Sequence, residues 1–98
     1  MNYINSIAQS GIEAATAKLA VTADNIANAT TDGFKAARVD TTTKENGGVD
    51  VAVVKTDDQV DISKEAVEML STVNGFKANL QVLKADKEMT KSILDLIS

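Results

Sequence analysis

Seven apolar residues, Ile62, Ala66, Met69, Val73, Phe76, Leu80 and Leu83, follow one another at strict four–three spacing. A strand throws alternate side chains to opposite faces, so only a helix gathers this set onto one side. A repeat averaging about 3.5 residues is the seam of a helix that meets another helix. The chain must therefore contain a long C-terminal helix over residues 61–98, reaching about 54 Å at 1.5 Å per residue. Asp61 or Ser63 can cap its start, and Glu65 suits the positive end of the helix dipole. Lys87 and Thr90 interrupt the frame. Met89, Ile93 and Leu96 then carry the stripe to a neighbouring face, while Leu94 and Ile97 return to the first, so the last turns can meet a second partner. Lys64–Glu68, Lys84–Glu88 and Lys91–Asp95 are spaced for ion pairs along the helix, each worth a few tenths of a kcal/mol.

A partner stripe lies at the other end. Ile12, Leu19 and Ile26 recur every seven residues, with Ala8, Ala15 and Thr22 between them. This predicts an amphipathic helix of roughly 25 residues from about Tyr3 to Ala29. Gly11 weakens it locally. Its outer face carries Gln9, Ser10, Thr16, Thr22 and Asn25 rather than Lys and Glu. Such groups hydrogen-bond across a crowded interface where buried charges would be costly. The helix should stop near Asn28, in a cluster of turn formers where Gly33 can take a positive φ. Asn28 can cap it, and Asn25 and Asn28 can also bond neighbouring backbone. Periodicity does not tell whether each stripe meets the same chain or another.

Between the helices the pattern changes. Asn46-Gly47-Gly48 reads as a turn, and Val49–Lys55 is β-branched and partly alternating, hence a short strand. Phe34–Val39 is its expected hairpin partner, and Thr41-Thr42-Thr43 breaks any helical pattern. Phe34 is either a subunit contact or the plug of a small hairpin core. The expected architecture is mainly α: N- and C-terminal helices pairing as a coiled-coil-like hairpin, with a small β-hairpin insert. The expected segments are 1–33, 34–60 and 61–98.

Composition narrows the function. Leu, Ile, Val and Phe total 25 of 98 residues, above the roughly one-fifth of disordered chains. Fourteen alanines make thin apolar faces that release little free energy on burial. The net charge is −4 with no Lys/Arg cluster, which gives no footprint for nucleic acid. No run approaches the roughly 18 apolar residues of a membrane span, so no membrane insertion is expected. The first residues lack the basic and apolar regions of a cleavable signal peptide. With no His and no Cys, imidazole and thiol chemistry are excluded and metal ligands reduce to carboxylates. The carboxylates Asp57, Asp58 and Asp61 sit in a polar connector, where they solvate a loop or cap a helix. No catalytic residue, cofactor or metal is expected.

Two stretches carry a resemblance. Asn25-Ile26-Ala27-Asn28-Ala29-Thr30-Thr31-Asp32-Gly33-Phe34-Lys35 resembles the signature N-I-A-N-A-N-T-P-G-Y-K of bacterial flagellar rod, hook and hook-associated proteins. Phe34 stands for Tyr, Asp32 for Pro and Thr30 for Asn, and the lost Pro makes the turn less rigid. Val60-Asp61-Ile62-Ser63-Lys64-Glu65-Ala66-Val67-Glu68-Met69-Leu70 is similar to the family's C-terminal helix start, V-D-L-x-x-E-x-V-x-M-I. The similarity continues through Gly75-Phe76-Lys77-Ala78-Asn79 and the closing Ile93–Ile97. Val73-Asn74 replaces the family's usual Gln-Arg. Gly47-Gly48-Val49-Asp50-Val51 resembles a strand of proximal rod subunits, although the centre is shorter than theirs and lacks their Pro-rich segment.

The resemblance implies a structural subunit whose terminal helices pack around the axis of a tubular assembly. It implies other rod or hook subunits, copies of the same chain and the flagellar export apparatus as partners. It implies a location in the periplasmic rod, reached without a cleaved signal peptide. The residues expected at assembly contacts are Ile12, Leu19, Asn25, Ile26, Asn28, Gly33 and Phe34. On the last helix they are Ile62, Met69, Val73, Phe76, Asn79, Leu80, Leu83, Met89, Leu94 and Ile97. The alternative is a soluble adaptor or regulator that keeps the same two helices outside the rod.

Overall fold

The structure, a computed structural model, describes the backbone of residues 2–97 and the side chains of residues 4–97. Helix α1 (Asn2–Ala27) leads into a hairpin of strands β1 (Ala37–Thr43) and β2 (Val49–Lys55), and helix α2 (Ile62–Ile97) closes the chain. The molecule is a rod of 63 × 25 × 14 Å with a radius of gyration of 17.3 Å. A compact domain of this length has a radius near 13 Å.

The helix pair is antiparallel. Asn25 meets Glu65 through a hydrogen bond of 2.9 Å, and Gly11 lies under the side-chain amide of Asn79. These contacts sit fourteen residues apart on each helix, so the register is held over that span. The close approach needs glycine: a Cβ at position 11 would lie 2.7 Å from Asn79 Nδ2.

Each element ends for a local reason. Past Ala27, the Asn28 amide donates to the Asp24 carbonyl (2.9 Å) and Asp24 Oδ1 (3.0 Å). The turn continues through Thr31 N–H to Asn28 O and Phe34 N–H to Thr31 O. Gly33 adopts φ +77° there, a value that costs other residues a steric penalty. The hairpin tip closes with Gly47 N–H to Lys44 O and Lys44 N–H to Gly48 O, and Gly47 has φ +90°. This is a type I turn followed by a left-handed residue, a common three-residue hairpin loop. At α2, Asp61 Oδ1 accepts from Lys64 N–H at 3.2 Å, so Asp61, not Ser63, is the cap.

Three sequence expectations shift. The strand Val49–Lys55 stands as expected, but its partner is Ala37–Thr43 rather than Phe34–Val39. The three threonines are β-branched and extend the strand toward the tip, while residues 34–36 complete the turn. Second, α2 is rolled about its axis. Its half-buried or buried positions are Glu65, Met69, Thr72, Val73, Phe76, Asn79, Leu83 and Asp86, while Ile62, Ala66 and Leu80 of the apolar stripe are exposed. The facing surface of α1 carries Ala8, Gly11 and Ala15, so the fully seated positions of α2 are the polar Thr72 and Asp86, while Met69, Val73, Phe76 and Leu83 of the stripe stay half-buried. Third, none of the three expected helical ion pairs forms. Among the described residues the ion pairs are Arg38–Asp40 and Lys44–Asp50.

The interior is correspondingly thin. The buried apolar residues are Ala8, Ala14, Ala15 and Ala36, and the buried polar ones are Thr22, Asn25, Thr72 and Asp86. The exposed surface is 6924 Å², where a compact monomer of this mass exposes roughly 5,400 Å².

Candidate assembly interface

The hairpin is fastened along α1 at two corners. Intrachain ladder bonds fall on even-numbered residues of β1, as the flanking bonds Lys44 N–H to Gly48 O and Thr56 N–H to Ala36 O show. Ala37, paired with Lys55, therefore turns its own N–H and C=O outward. Both are met by one side chain: Asn25 Oδ1 accepts from Ala37 N–H (3.0 Å) and Asn25 Nδ2 donates to Ala37 O (2.8 Å). The carboxamide imitates the next strand's peptide. The same Nδ2 donates its second hydrogen to Glu65 Oε1. At the opposite corner, Ser10 Oγ accepts from the outward N–H of Val49 (3.1 Å) and itself donates to Ile7 O.

Asn25 is only 1% exposed, so this polar residue joins α1, β1 and α2 from within the chain. Asn28 is half-buried and engaged with Asp24. Phe34 is half-buried beneath Lys55, whose Nζ lies 4.4 Å from the ring centroid and donates to Lys35 O. Gly33 is exposed. Ile12, Leu19 and Ile26 on α1 are half-buried, as are Met69, Val73, Phe76, Asn79 and Leu83 on α2. Ile62, Leu80, Met89, Leu94 and Ile97 are exposed.

The exposed large apolar residues of α2 form a group at each end, with Leu80 and Val82 between them. Near its start stand Ile62, Val67 and Leu70. Toward its end stand Met89, Ile93, Leu94, Leu96 and Ile97, the last two 85% and 75% exposed. The antiparallel register places the second group past the first described turn of α1. Contiguous apolar surface of this kind marks an interaction site. Two acceptors toward the same end, Asn5 Oδ1 and Asp86 Oδ1, are buried without a hydrogen bond. Spacing revealed neither the buried Thr72 and Asp86 nor the corner bond of Ser10, because polar residues at seam positions look like interruptions until the partner's small residues are seen.

A cleft of about 470 Å³ opens between α1, the base of the hairpin and the start of α2. Lys18, Arg38 and Lys64 line it against Asp58, Asp61 and Glu65. It carries charges of both signs, Asp61 is the helix cap, and Asp58 O accepts from Ala36 N–H. Among the described residues no cluster of His, Cys, Asp or Glu side chains could hold a metal ion, and no helix is long and apolar enough to cross a membrane.

Residues 6–35, which span most of α1, its terminal turn and the half-buried Phe34, match the model of a family described as flagella basal body rod protein. No curated protein sequence matches the chain. That family is a structural component of the flagellar basal body, and it interacts with other rod components. Through this segment, with its Asn25 corner and its glycine turn, the chain is similar to the rod proteins of the bacterial flagellar basal body over residues 6–35.

Proposed function

We propose that this chain is a non-catalytic structural subunit of the flagellar rod that assembles through α1 and α2 into a helical tube. Its neighbours are copies of itself and other rod or hook subunits, and it reaches the periplasmic rod by the flagellar export apparatus. The family match rests on α1. The reading extends it to α2 through the Val60–Leu70 resemblance, and to the proximal rod through the Gly47–Val51 strand. Ile12, Leu19 and Ile26 of α1, with Ile62, Leu80, Met89, Leu94 and Ile97 of α2, supply the contacts between subunits.

The observation that carries the proposal is the surplus of exposed surface. The chain exposes about 1,500 Å² more than a compact monomer of its mass. A standard interface takes about 800 Å² from each partner, so the surplus is enough for roughly two such faces. Most of its large apolar side chains lie on the helix belonging to the longer seam. The test is swimming and electron microscopy of basal bodies in a strain lacking the gene. Joint loss of rod, hook and filament, restored by the intact gene, is expected. Normal flagella would overturn it. A soluble adaptor is the second reading, favoured by the short centre and by Val73-Asn74 in place of Gln-Arg. It would show as a soluble partner in pulldowns and no protein in purified basal bodies.

A further inference from the structure

The corners that fasten the hairpin leave the rest of both strand edges open. On β1 the outward backbone groups past Ala37 belong to Val39, Thr41 and Thr43, and on β2 past Val49 to Val51, Val53 and Lys55. None of these six has a backbone partner outside the ladder among the described residues, and Lys55 donates to Lys35 O through its side chain. Val53 is 62% exposed and Val51 41% exposed, and Thr41 and Thr43 are exposed. An edge of this kind is a template for another strand. Proteins usually blunt such edges with proline, a bulge or a covering segment; the chain has no proline, and its bulge lies at the tip.

We propose that the β2 edge of one copy pairs with the β1 edge of a second copy, which extends the two-stranded sheet from subunit to subunit. This rests on the reading of the chain as a subunit that contacts copies of itself. Three observations single out the second copy. First, the two open edges are of equal length, three outward positions each, and lie on opposite sides of one hairpin. Second, a translated copy places β1 antiparallel to β2 and repeats the intrachain alternation of side chains. Val53 and Val51 then meet Val39 and Thr41 of the next copy, as they already do within the chain. Third, this contact draws on the same surplus of exposed surface. The contact is head-to-tail, so it propagates instead of closing.

Proline tests each edge separately. At Val53 or Thr41 the N–H points outward, so proline removes an edge donor and no ladder bond. Sedimentation velocity of the full chain is followed as concentration rises, with circular dichroism as the check on folding. The unaltered chain is expected to form a growing series of species. Val53→Pro alone and Thr41→Pro alone are expected to stay monomeric at tenfold higher concentration. Mixed one to one, they should form pairs and stop, because each retains only the edge the other lacks. Val53→Lys and Thr41→Lys keep every backbone group and repeat the test should either proline variant lose the hairpin.

Assembly of both variants like the unaltered chain overturns the edge contact and leaves the rod reading standing. Pairing of either variant alone overturns it in favour of a symmetric contact. An unaltered chain that remains monomeric throughout also overturns it, whereas the rod reading is decided separately by the contents of purified basal bodies.

Discussion

The two ends of α2 are built on opposite plans. At its start, Asp61 caps the first turn, Glu65 receives a bond from Asn25, and Asn25 ties both to the first residue of β1. Three elements meet there through polar groups whose partners are all inside the chain. At its end, Met89, Ile93, Leu96 and Ile97 face solvent, and Asp86 Oδ1 is buried without a donor. The polar corner at the start is complete as it stands, although Ile62, Val67 and Leu70 beside it face solvent. The end presents what a neighbour could use. The lesson is that polar bonds set the geometry of the monomer here, while the larger apolar side chains are held back from its interior.

The most severe way to break this comparison is at Asn25. Asn25→Ala strands Ala37 N–H and O in a buried corner, and each orphaned group costs about 1–3 kcal/mol. A loss of about 3 kcal/mol in urea unfolding is expected. Asn25→Asp should cost more, because a carboxylate would then face Glu65 and the Ala37 carbonyl. Glu65→Gln should restore part of that loss. A cost under about 1 kcal/mol for Asn25→Ala would show that the polar corner does not organise the monomer.

Next in size is the close approach at Gly11. Gly11→Leu should destabilise by about 2–3 kcal/mol through overpacking against Asn79. Gly11→Ala should change stability by no more than about 1 kcal/mol, because better helix propensity offsets the displaced amide. Asn79→Ala combined with Gly11→Ala should be more stable than Gly11→Ala alone. Thermal unfolding of the four proteins decides the point.

Asp61→Ala removes the cap and should cost about 1 kcal/mol, with faster amide exchange confined to the first turns of α2. The smallest expected effect on the monomer lies at the far end. Leu96→Ser with Ile97→Ser should shift unfolding by less than about 0.5 kcal/mol and abolish function in swimming. A large loss of monomer stability there would erase the contrast between the two ends.

Much of this was legible in the residues. The four–three spacing located α2, Val49–Lys55 marked β2 to the residue, and Asn28 with Gly33 marked the end of α1. The start of β1 was not legible: Ala37-Arg38-Val39-Asp40 has mixed β propensity, and tertiary bonds from Asn25 select Ala37. The roll of α2 was also hidden. Heptad reasoning assumes that the largest apolar residues seek the seam, but a partner face of Ala8, Gly11 and Ala15 has little depth to receive them. The role of Asn25 needs the fold, since its partners are 12 and 40 residues away. Nothing in the spacing of α1 distinguishes an asparagine that bonds a strand from one that bonds a neighbour.

The alanine interior has a calorimetric consequence. The heat-capacity increase on unfolding comes from newly wetted apolar surface and is reduced by newly wetted polar surface. Among the described residues the buried side chains are four alanines and four polar ones. The isolated chain should therefore unfold with a heat-capacity change below the usual 12–15 cal/mol/K or so per residue. Its stability curve should be shallow, lower at the maximum and flatter toward both cold and heat, and assembly should steepen it as the exposed apolar side chains of α2 are covered.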